Sequence, residues 1–249
     1  MKCITPTRLG LATACLCLCC TASANAATVW SANVYRDNST VTDNPLGASE
    51  TAGVVAEDNW TNVGFAKNQS GDITANVASN DSTGALSLVI KTGQWDGWHS
   101  NLDHTDGGDE KMLDTFVKRS SFSVDITGLA AGAYDFYYYT FVNDNTGNDM
   151  SVTLDATTYW GETHSPSTFS SYQRATATTQ AAATSGNHYV LFEDVTVTGT
   201  SDVTTASFSV SSQSSALSGV QVVLVPEPAS LALLGLGVLL MAPRRRRHV

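Results

Sequence analysis

Cysteine is missing from all but the first twenty residues of the sequence. The five cysteines are Cys3, Cys15, Cys17, Cys19 and Cys20. They stand in an apolar run, where they act as small hydrophobic residues. Once this stretch is removed, the remaining chain has no thiol, which excludes a disulfide, a thiolate metal site and a cysteine nucleophile.

Basic residues are also scarce in the main part of the chain. Six of the 13 lysines and arginines lie near the two ends, whereas all 23 acidic residues fall between residues 27 and 228. That part keeps only 7 basic residues and carries a formal charge of −16. Phosphate backbones and anionic lipid surfaces would repel it, so we expect no nucleic-acid partner.

The usual catalytic motifs are absent as well. There is no Gly-x-Ser-x-Gly nucleophile elbow, no phosphate-binding glycine loop and no internal repeat of fixed period. A glycoside hydrolase needs two carboxylates close together, and the sequence does not select a pair among its acidic residues. We therefore predict a protein that is not an enzyme, with a secreted hydrolase as the least favoured alternative.

The N-terminus has the organisation of a secretory signal peptide. Two basic residues precede a short apolar stretch, and small residues follow it. Ala24 and Ala26 occupy the two positions that signal peptidase recognises, which predicts a signal peptide of residues 1–26 and cleavage before Ala27. The run 22–24 offers a second cleavage site.

The C-terminal segment begins with two prolines around a glutamate. Pro226, Glu227 and Pro228 disfavour a helix and keep the peptide extended, as a protease-like sorting enzyme requires. Fourteen uncharged residues, 229–242, follow. As a helix they would span roughly 21 Å, short of the roughly 30 Å hydrocarbon core, so we expect only a transient anchor in the inner membrane.

The chain ends in a basic tail, residues 243–249. Its four consecutive arginines are Arg244, Arg245, Arg246 and Arg247. Such clusters resist translocation and stay on the cytoplasmic side, which predicts a stop-transfer signal and leaves the body of the protein outside. The sequence therefore divides into the signal peptide, a body over 27–224 and a tail over 225–249.

The tripeptide, the short apolar segment and the arginine run, in this order, resemble the PEP-CTERM sorting signal. This resemblance implies processing by an exosortase, a membrane-embedded enzyme similar to a transpeptidase. Proteins with the signal are typically exported by bacteria that make extracellular polysaccharide, and they are often glycosylated. The resemblance therefore implies a glycoprotein of the cell surface or extracellular matrix, linked to exopolysaccharide or biofilm.

The body has the pattern of an all-β protein. Apolar and polar residues alternate with a period of two, and turns rich in glycine, proline or asparagine separate the runs. We predict strands in the runs 86–90, 122–126, 133–142, 152–154, 189–192, 206–210 and 220–225. Only 109–119 indicates a helical turn or two. Many short strands with little helix favour one β-sandwich or jelly-roll domain.

Two segments allow a structural and a functional interpretation. Residues 196–218 are rich in serine and threonine, which is compatible with a pair of strands or with an O-glycosylated stalk. The alternation of Phe208 and Val210 with polar residues favours strands. Residues 159–164 combine aromatic residues with Glu162 and His164, and we interpret them as a strand edge and turn.

The body also resembles the ectodomain of uncharacterised PEP-CTERM surface proteins. The residues that carry this resemblance fall in the blocks 52–55, 59–60, 111–113, 124–129, 134–139 and 218–223. The resemblance implies a galactose-binding-like jelly roll and no particular activity.

The richest polar segment is 94–110, with two tryptophans, two histidines and five carboxylates. Its simplest interpretation is an acidic, solvated loop between strands. A first alternative is glycan binding, in which Trp95 and Trp98 stack on sugars and Asp96 hydrogen-bonds to them. The body would then be a carbohydrate-binding module for extracellular polysaccharide.

Metal binding is a further alternative for this segment. Carboxylates between glycine turns can supply oxygen ligands to calcium, and the candidates are Asp103, Asp106 and Asp109. Their spacing is not that of an EF-hand loop. His99 and His104 are five residues apart, which does not suit a helical zinc pair, and no third ligand is fixed by spacing. We therefore predict no cofactor, with calcium as the alternative.

Overall fold

The computed structural model describes residues 27–37, 45–66, 68–91, 96–99, 107–143, 146–165, 169–211 and 215–226. This part of the chain contains one α-helix, α1 (Gly108–Asp114), and a short 3-10 turn over Gln180–Ala182. Its strands are β1 (Val29–Asp37), β2 (Trp60–Ala66), β3 (Ile73–Ala78), β4 (Ala85–Lys91), β5 (Asp96–His99), β6 (Thr115–Arg119), β7 (Ser121–Thr127), β8 (Gly132–Tyr139), β9 (Asp149–Leu154), β10 (Thr157–Glu162), β11 (Tyr189–Val197), β12 (Thr204–Val210), β13 (Ser215–Leu217) and β14 (Gly219–Leu224).

The strands form two large sheets and one small one. The five-stranded sheet has the order β11-β8-β14-β1-β2, the six-stranded sheet β10-β9-β12-β7-β4-β3, and the small sheet β13-β6-β5. All pairs are antiparallel except β1 with β2. The chain changes sheet from β7 to β8 and again from β8 to β9. The predicted all-β sandwich is confirmed.

The core between the two large sheets is rich in aromatic residues. Tyr134, Phe136 and Tyr138 alternate along β8 and are buried, as the period of two requires. Phe208 of β12 stacks on Phe122 of β7 at a centroid distance of 4.5 Å and meets the Tyr138 ring edge-on at 5.6 Å. These rings connect the six-stranded sheet to the five-stranded one.

The five-stranded sheet is buried on its outer face as well. Tyr137 and Tyr139 of β8 point away from the main core and join a second apolar cluster with Met112 and Leu113 of α1. Trp60 belongs to this cluster, and its ring lies 6.1 Å from that of Tyr139. The aromatic strand β8 is therefore packed on both of its faces.

Three local predictions have clear outcomes. The helical turn or two predicted within 109–119 is found as α1, and the rest of that segment forms β6, in which Phe116 and Val117 are completely buried. The serine- and threonine-rich segment forms β12 and β13, so the strand interpretation is confirmed. The segment 159–164 begins in β10, which is an edge strand as predicted.

Strand β1 was not predicted, and its burial explains why. It lies between β14 and β2, and seven of its nine residues are buried. Its buried residues include the polar Ser31 and Asn33, so it lacks the continuous apolar run that marks a strand covered on both faces.

No helix in the described ranges is long and apolar enough to cross a membrane.

Candidate functional site

The structure describes only some of the residues predicted to be functional. Ala27 is half-buried and Pro226 is exposed at the end of the described chain. Asp96 and Trp98 lie in β5, where they pair with Lys118 and Phe116 of β6. The following predictions lie outside the described residues: Ala24, Ala26, Trp95, Asp103, Asp106, Glu227, Pro228, the segment 229–242 and Arg244 to Arg247.

The sorting tail leaves the sandwich from the centre of a sheet. β14 lies between β8 and β1, and its last residue donates a hydrogen bond from Leu224 N to the Thr28 carbonyl at 2.9 Å. Val225 N donates to the Ala133 carbonyl, also at 2.9 Å. Pro226 has no N–H group and cannot extend the ladder. The tail therefore starts without a linker, at the end of the sandwich where β1 begins.

An apolar groove of about 740 Å³ lies at this end, and we name it the tail-end groove. It is lined by Ala131, Gly132, Ala133, Asp194, Thr196, Val197, Leu224, Val225 and Pro226. Small side chains at the start of β8 keep the groove open. Its residues come from the central strands β8 and β14 and from the end of β11, so its walls belong to one sheet.

A second groove, of about 480 Å³, lies beside the first and shares Asp194 and Thr196 with it. Its aromatic wall is Tyr159, whose ring lies 5.2 Å from the buried Phe192 ring. The Arg174 guanidinium lies 6.0 Å from the Tyr159 ring and pairs with Glu193 at 2.9 Å. We name this the Tyr159 groove.

Two aspartates with left-handed backbones stand at the Tyr159 groove. Asp155 has a φ of 53° in the turn between β9 and β10, and Asp194 has a φ of 55° at the bulge in β11. Aspartate is one of the few residues that adopt this conformation readily. Asp194 N donates to Asp135 Oδ1 at 2.9 Å, which fixes the bulge. The groove is therefore acidic and partly aromatic.

A buried polar network lies on the outer face of the five-stranded sheet. Asp109 Oδ1 accepts hydrogen bonds from Gly53 N at 2.8 Å and from the Tyr172 hydroxyl at 2.7 Å. This calcium candidate thus joins α1 to two distant loops. Within the described ranges, no three histidine, cysteine or carboxylate side chains lie close enough to hold a metal ion. Calcium binding through Asp103 and Asp106 stays a prediction.

The network continues into the sheet through Tyr139. Val54 N donates to the Tyr139 hydroxyl at 2.7 Å, and that hydroxyl donates to Gln221 Oε1. Gln221 Nε2 donates to the Val55 carbonyl at 2.8 Å and to Ser31 Oγ at 3.1 Å. Burial raises the pKa of the Tyr139 hydroxyl well above its usual range. The blocks 52–55 and 218–223 of the ectodomain resemblance therefore meet here.

The buried His188 and the half-buried His164 form a cluster that the sequence did not indicate. The rings of His164 and His188 meet edge to face at 5.2 Å, and Phe169 packs against His188 at 5.3 Å. His188 Nδ1 accepts a hydrogen bond from Gln173 N at 3.1 Å. Burial lowers the pKa of both imidazoles, and the neighbouring His164 helps to bring that of His188 to about 4. Both rings are therefore neutral at neutral pH.

Comparison with known families identifies the tail. The family described as the PEP-CTERM protein-sorting motif matches residues 224–247. The sorting signal predicted from the sequence is thereby confirmed. This motif implies export, sorting to the cell surface and processing by an exosortase-type enzyme. No curated protein was found to match the chain.

Proposed function

We propose that this is a non-enzymatic surface or matrix protein, in which the sorting tail delivers a β-sandwich ectodomain linked to extracellular polysaccharide. The observation that carries the proposal is the position of the motif match. It begins at Leu224, the last residue of the central strand β14. The tail thus continues directly from a strand of the sandwich, which supports a tail that serves to deliver this domain.

The use of the buried polar groups supports a role without catalysis. Asp109 accepts bonds from a backbone N–H and a phenol, and the buried Glu110 accepts one from Phe169 N at 3.0 Å. Burial raises the pKa of the Tyr139 and Tyr172 hydroxyls well above their usual range. The hydrogen bonds of Asp109 and Glu110 hold loops on the sheet, and phenols whose pKa is raised in this way are poor proton donors near neutral pH.

The sorting role can be tested in a bacterium with and without its exosortase. We expect the full-length chain to lose its C-terminal peptide only in the strain that has the enzyme. Replacing the acidic residue of the tripeptide, Glu227→Ala, should reduce the processed fraction by roughly tenfold or more, because the enzyme loses the charge it recognises. Equal processing in both strains, measured by mass spectrometry of the surface protein, would refute the proposal.

Carbohydrate binding is the second candidate, and the Tyr159 groove favours it. An aromatic wall with a few polar groups is a common arrangement for ligand recognition. Carboxylates of Asp155, Glu193 and Asp194 can accept hydrogen bonds from sugar hydroxyls. In the same interpretation, Trp95, Asp96 and Trp98 remain an alternative contact surface.

A glycan array distinguishes these two surfaces. If the groove binds sugar, Tyr159→Ala should abolish the signal, and the variants Trp95→Ala and Trp98→Ala should keep it. The opposite result would assign binding to the tryptophan segment. Hydrolysis of any polysaccharide on the array by the purified protein would contradict a non-enzymatic role.

A further inference from the structure

The tail-end groove and the sorting motif share residues. Leu224, Val225 and Pro226 line the groove and also belong to the matched segment 224–247. An enzyme surface that binds these three residues in the folded protein therefore also contacts the groove.

We propose that the tail-end groove is a docking surface for the exosortase-type enzyme that processes the tail. The enzyme then recognises the end of the sandwich together with the tripeptide. This inference rests on the proposed function and identifies the surface of the sandwich that the enzyme contacts.

Distance is the first argument for this interface. Leu224 and Val225 are fixed to the sandwich by their hydrogen bonds to Thr28 and Ala133. An extended chain advances at most about 3.6 Å per residue, so Glu227 lies within roughly 7 Å of Val225. An enzyme that holds Glu227 therefore has the sandwich end against its own surface.

The chemistry of the groove is the second argument. Ala131, Gly132 and Ala133 have side chains too small to fill it, and Val197, Leu224 and Val225 make it apolar. An apolar surface of this kind, next to the tripeptide that the enzyme binds, is typical of the buried centre of a protein interface. Asp194 and Thr196, at its border with the Tyr159 groove, would provide the polar rim.

The charge of the body favours an enzyme over lipid as the occupant. The region 27–228 has a formal charge of −16, which disfavours close approach to an anionic membrane surface. A protein surface can place apolar residues in the groove and basic residues around it. Contact with lipid is nevertheless a distinct outcome of the test below.

The test places a charge in the groove of the full-length chain. Ala131 is exposed, so Ala131→Glu leaves the core intact while burying a carboxylate in the proposed interface. Ala66→Glu is the matched control, because Ala66 is also exposed but lies at the far end of β2, opposite the tail. Thermal unfolding of both variants checks that they fold.

We expect Ala131→Glu to reduce the processed fraction by roughly tenfold and Ala66→Glu to leave it unchanged. Normal processing of Ala131→Glu, alongside loss of processing in Glu227→Ala, would overturn the docking surface and leave the sorting role intact. Normal processing of Glu227→Ala would overturn the sorting role as well. If Ala131→Glu loses membrane association in a strain without exosortase, the groove contacts lipid and the proposal is wrong.

A second variant separates docking from simple access. Six glycine and serine residues inserted between Val225 and Pro226 move the tripeptide away from the groove. Docking predicts slower processing, because the enzyme can no longer engage both surfaces without ordering the linker. Faster processing would mean that the sandwich end only obstructs the enzyme, which would overturn the proposal.

Discussion

At the scale of single residues, Gly53 occupies a position that requires glycine. Its φ is 96°, a left-handed conformation that favours glycine. A Cβ at this position would lie 2.5 Å from Gln221 Oε1, inside the network that includes Tyr139. Its backbone N–H also donates to Asp109. Both the conformation and the close approach require glycine here.

We therefore expect Gly53→Ala to lower the free energy of unfolding by about 2–4 kcal/mol, combining backbone strain with a steric conflict. Gly71→Ala is the matched control, since Gly71 has a φ of 88° but nothing within 4 Å of the added Cβ. It should cost only the strain, about 1–2 kcal/mol. Urea unfolding measures both, and equal losses would disprove the crowding at Gly53.

The buried His188 predicts how stability depends on pH. In the unfolded chain the pKa of His188 has its ordinary value of 6.5, and in the folded chain it is about 4. Between these values only the unfolded state binds the proton, so stability falls as the pH drops from 6.5 towards 4, by up to about 3 kcal/mol. Above pH 6.5, His188 does not change the stability with pH.

The variant His188→Asn checks this prediction, because its side-chain oxygen can still accept the bond from Gln173 N. Thermal unfolding from pH 7 to pH 4 should show a shallower loss of stability in the variant than in the original protein. Parallel curves would show that protonation of His188 does not contribute.

At the scale of elements, β12 shows how a polar sequence can hold two sheets together. Ala206 and Phe208 are buried, whereas Ser207 and Ser209 face outward. The segment pairs with β7 on one side and β9 on the other. One apolar residue in two is therefore enough to fix the register, since a shift by one residue would expose every buried side chain.

Phe208→Ala should lower the free energy of unfolding by about 3–5 kcal/mol, because the ring contacts Phe122 and Tyr138 across the core. Ser207→Ala, one residue away on the exposed face, should change it by no more than about 0.5 kcal/mol. Chemical denaturation compares the two. Similar small effects would mean that this segment is not a core strand.

The sequence predicted several strands that expose one face to water, but not β2 and β3, whose exposed and buried residues also alternate. The alternating run 86–90 is found in β4, the run 122–126 in β7 and the run 206–210 in β12. β1 was missed because its buried residues include the polar Ser31 and Asn33, and β6 because its short apolar run followed a helix. Periodicity shows which residues face the core, but it does not show which strands lie between others.

At the scale of the whole molecule, both ends of the body lie together. Leu224, before the tail, hydrogen-bonds to Thr28, next to the predicted signal cleavage site. β14 is nevertheless the central strand, so the five-stranded sheet requires the residues immediately before the tail. The strand that precedes the sorting tail is thus an essential part of the fold that the tail delivers.

The candidate sites differ in how far the sequence could predict them. The tail could be predicted because its signal depends on composition and order within 25 residues. In the polar network, Asp109 bonds to Gly53, which is 56 positions away in the sequence, and to Tyr172, which is 63 positions away. Only the folded chain brings these residues together. The two grooves combine strands from separate parts of the sequence in the same way.

The mass of the mature protein at the cell surface shows whether the tail is removed. We expect a chain that begins at Ala27 and has lost Arg244 to Arg247, with the β-sandwich intact. A surface protein whose intact mass still includes the four arginines would contradict this expectation, because the tail would then be a permanent part of the molecule and not a sorting signal that is removed.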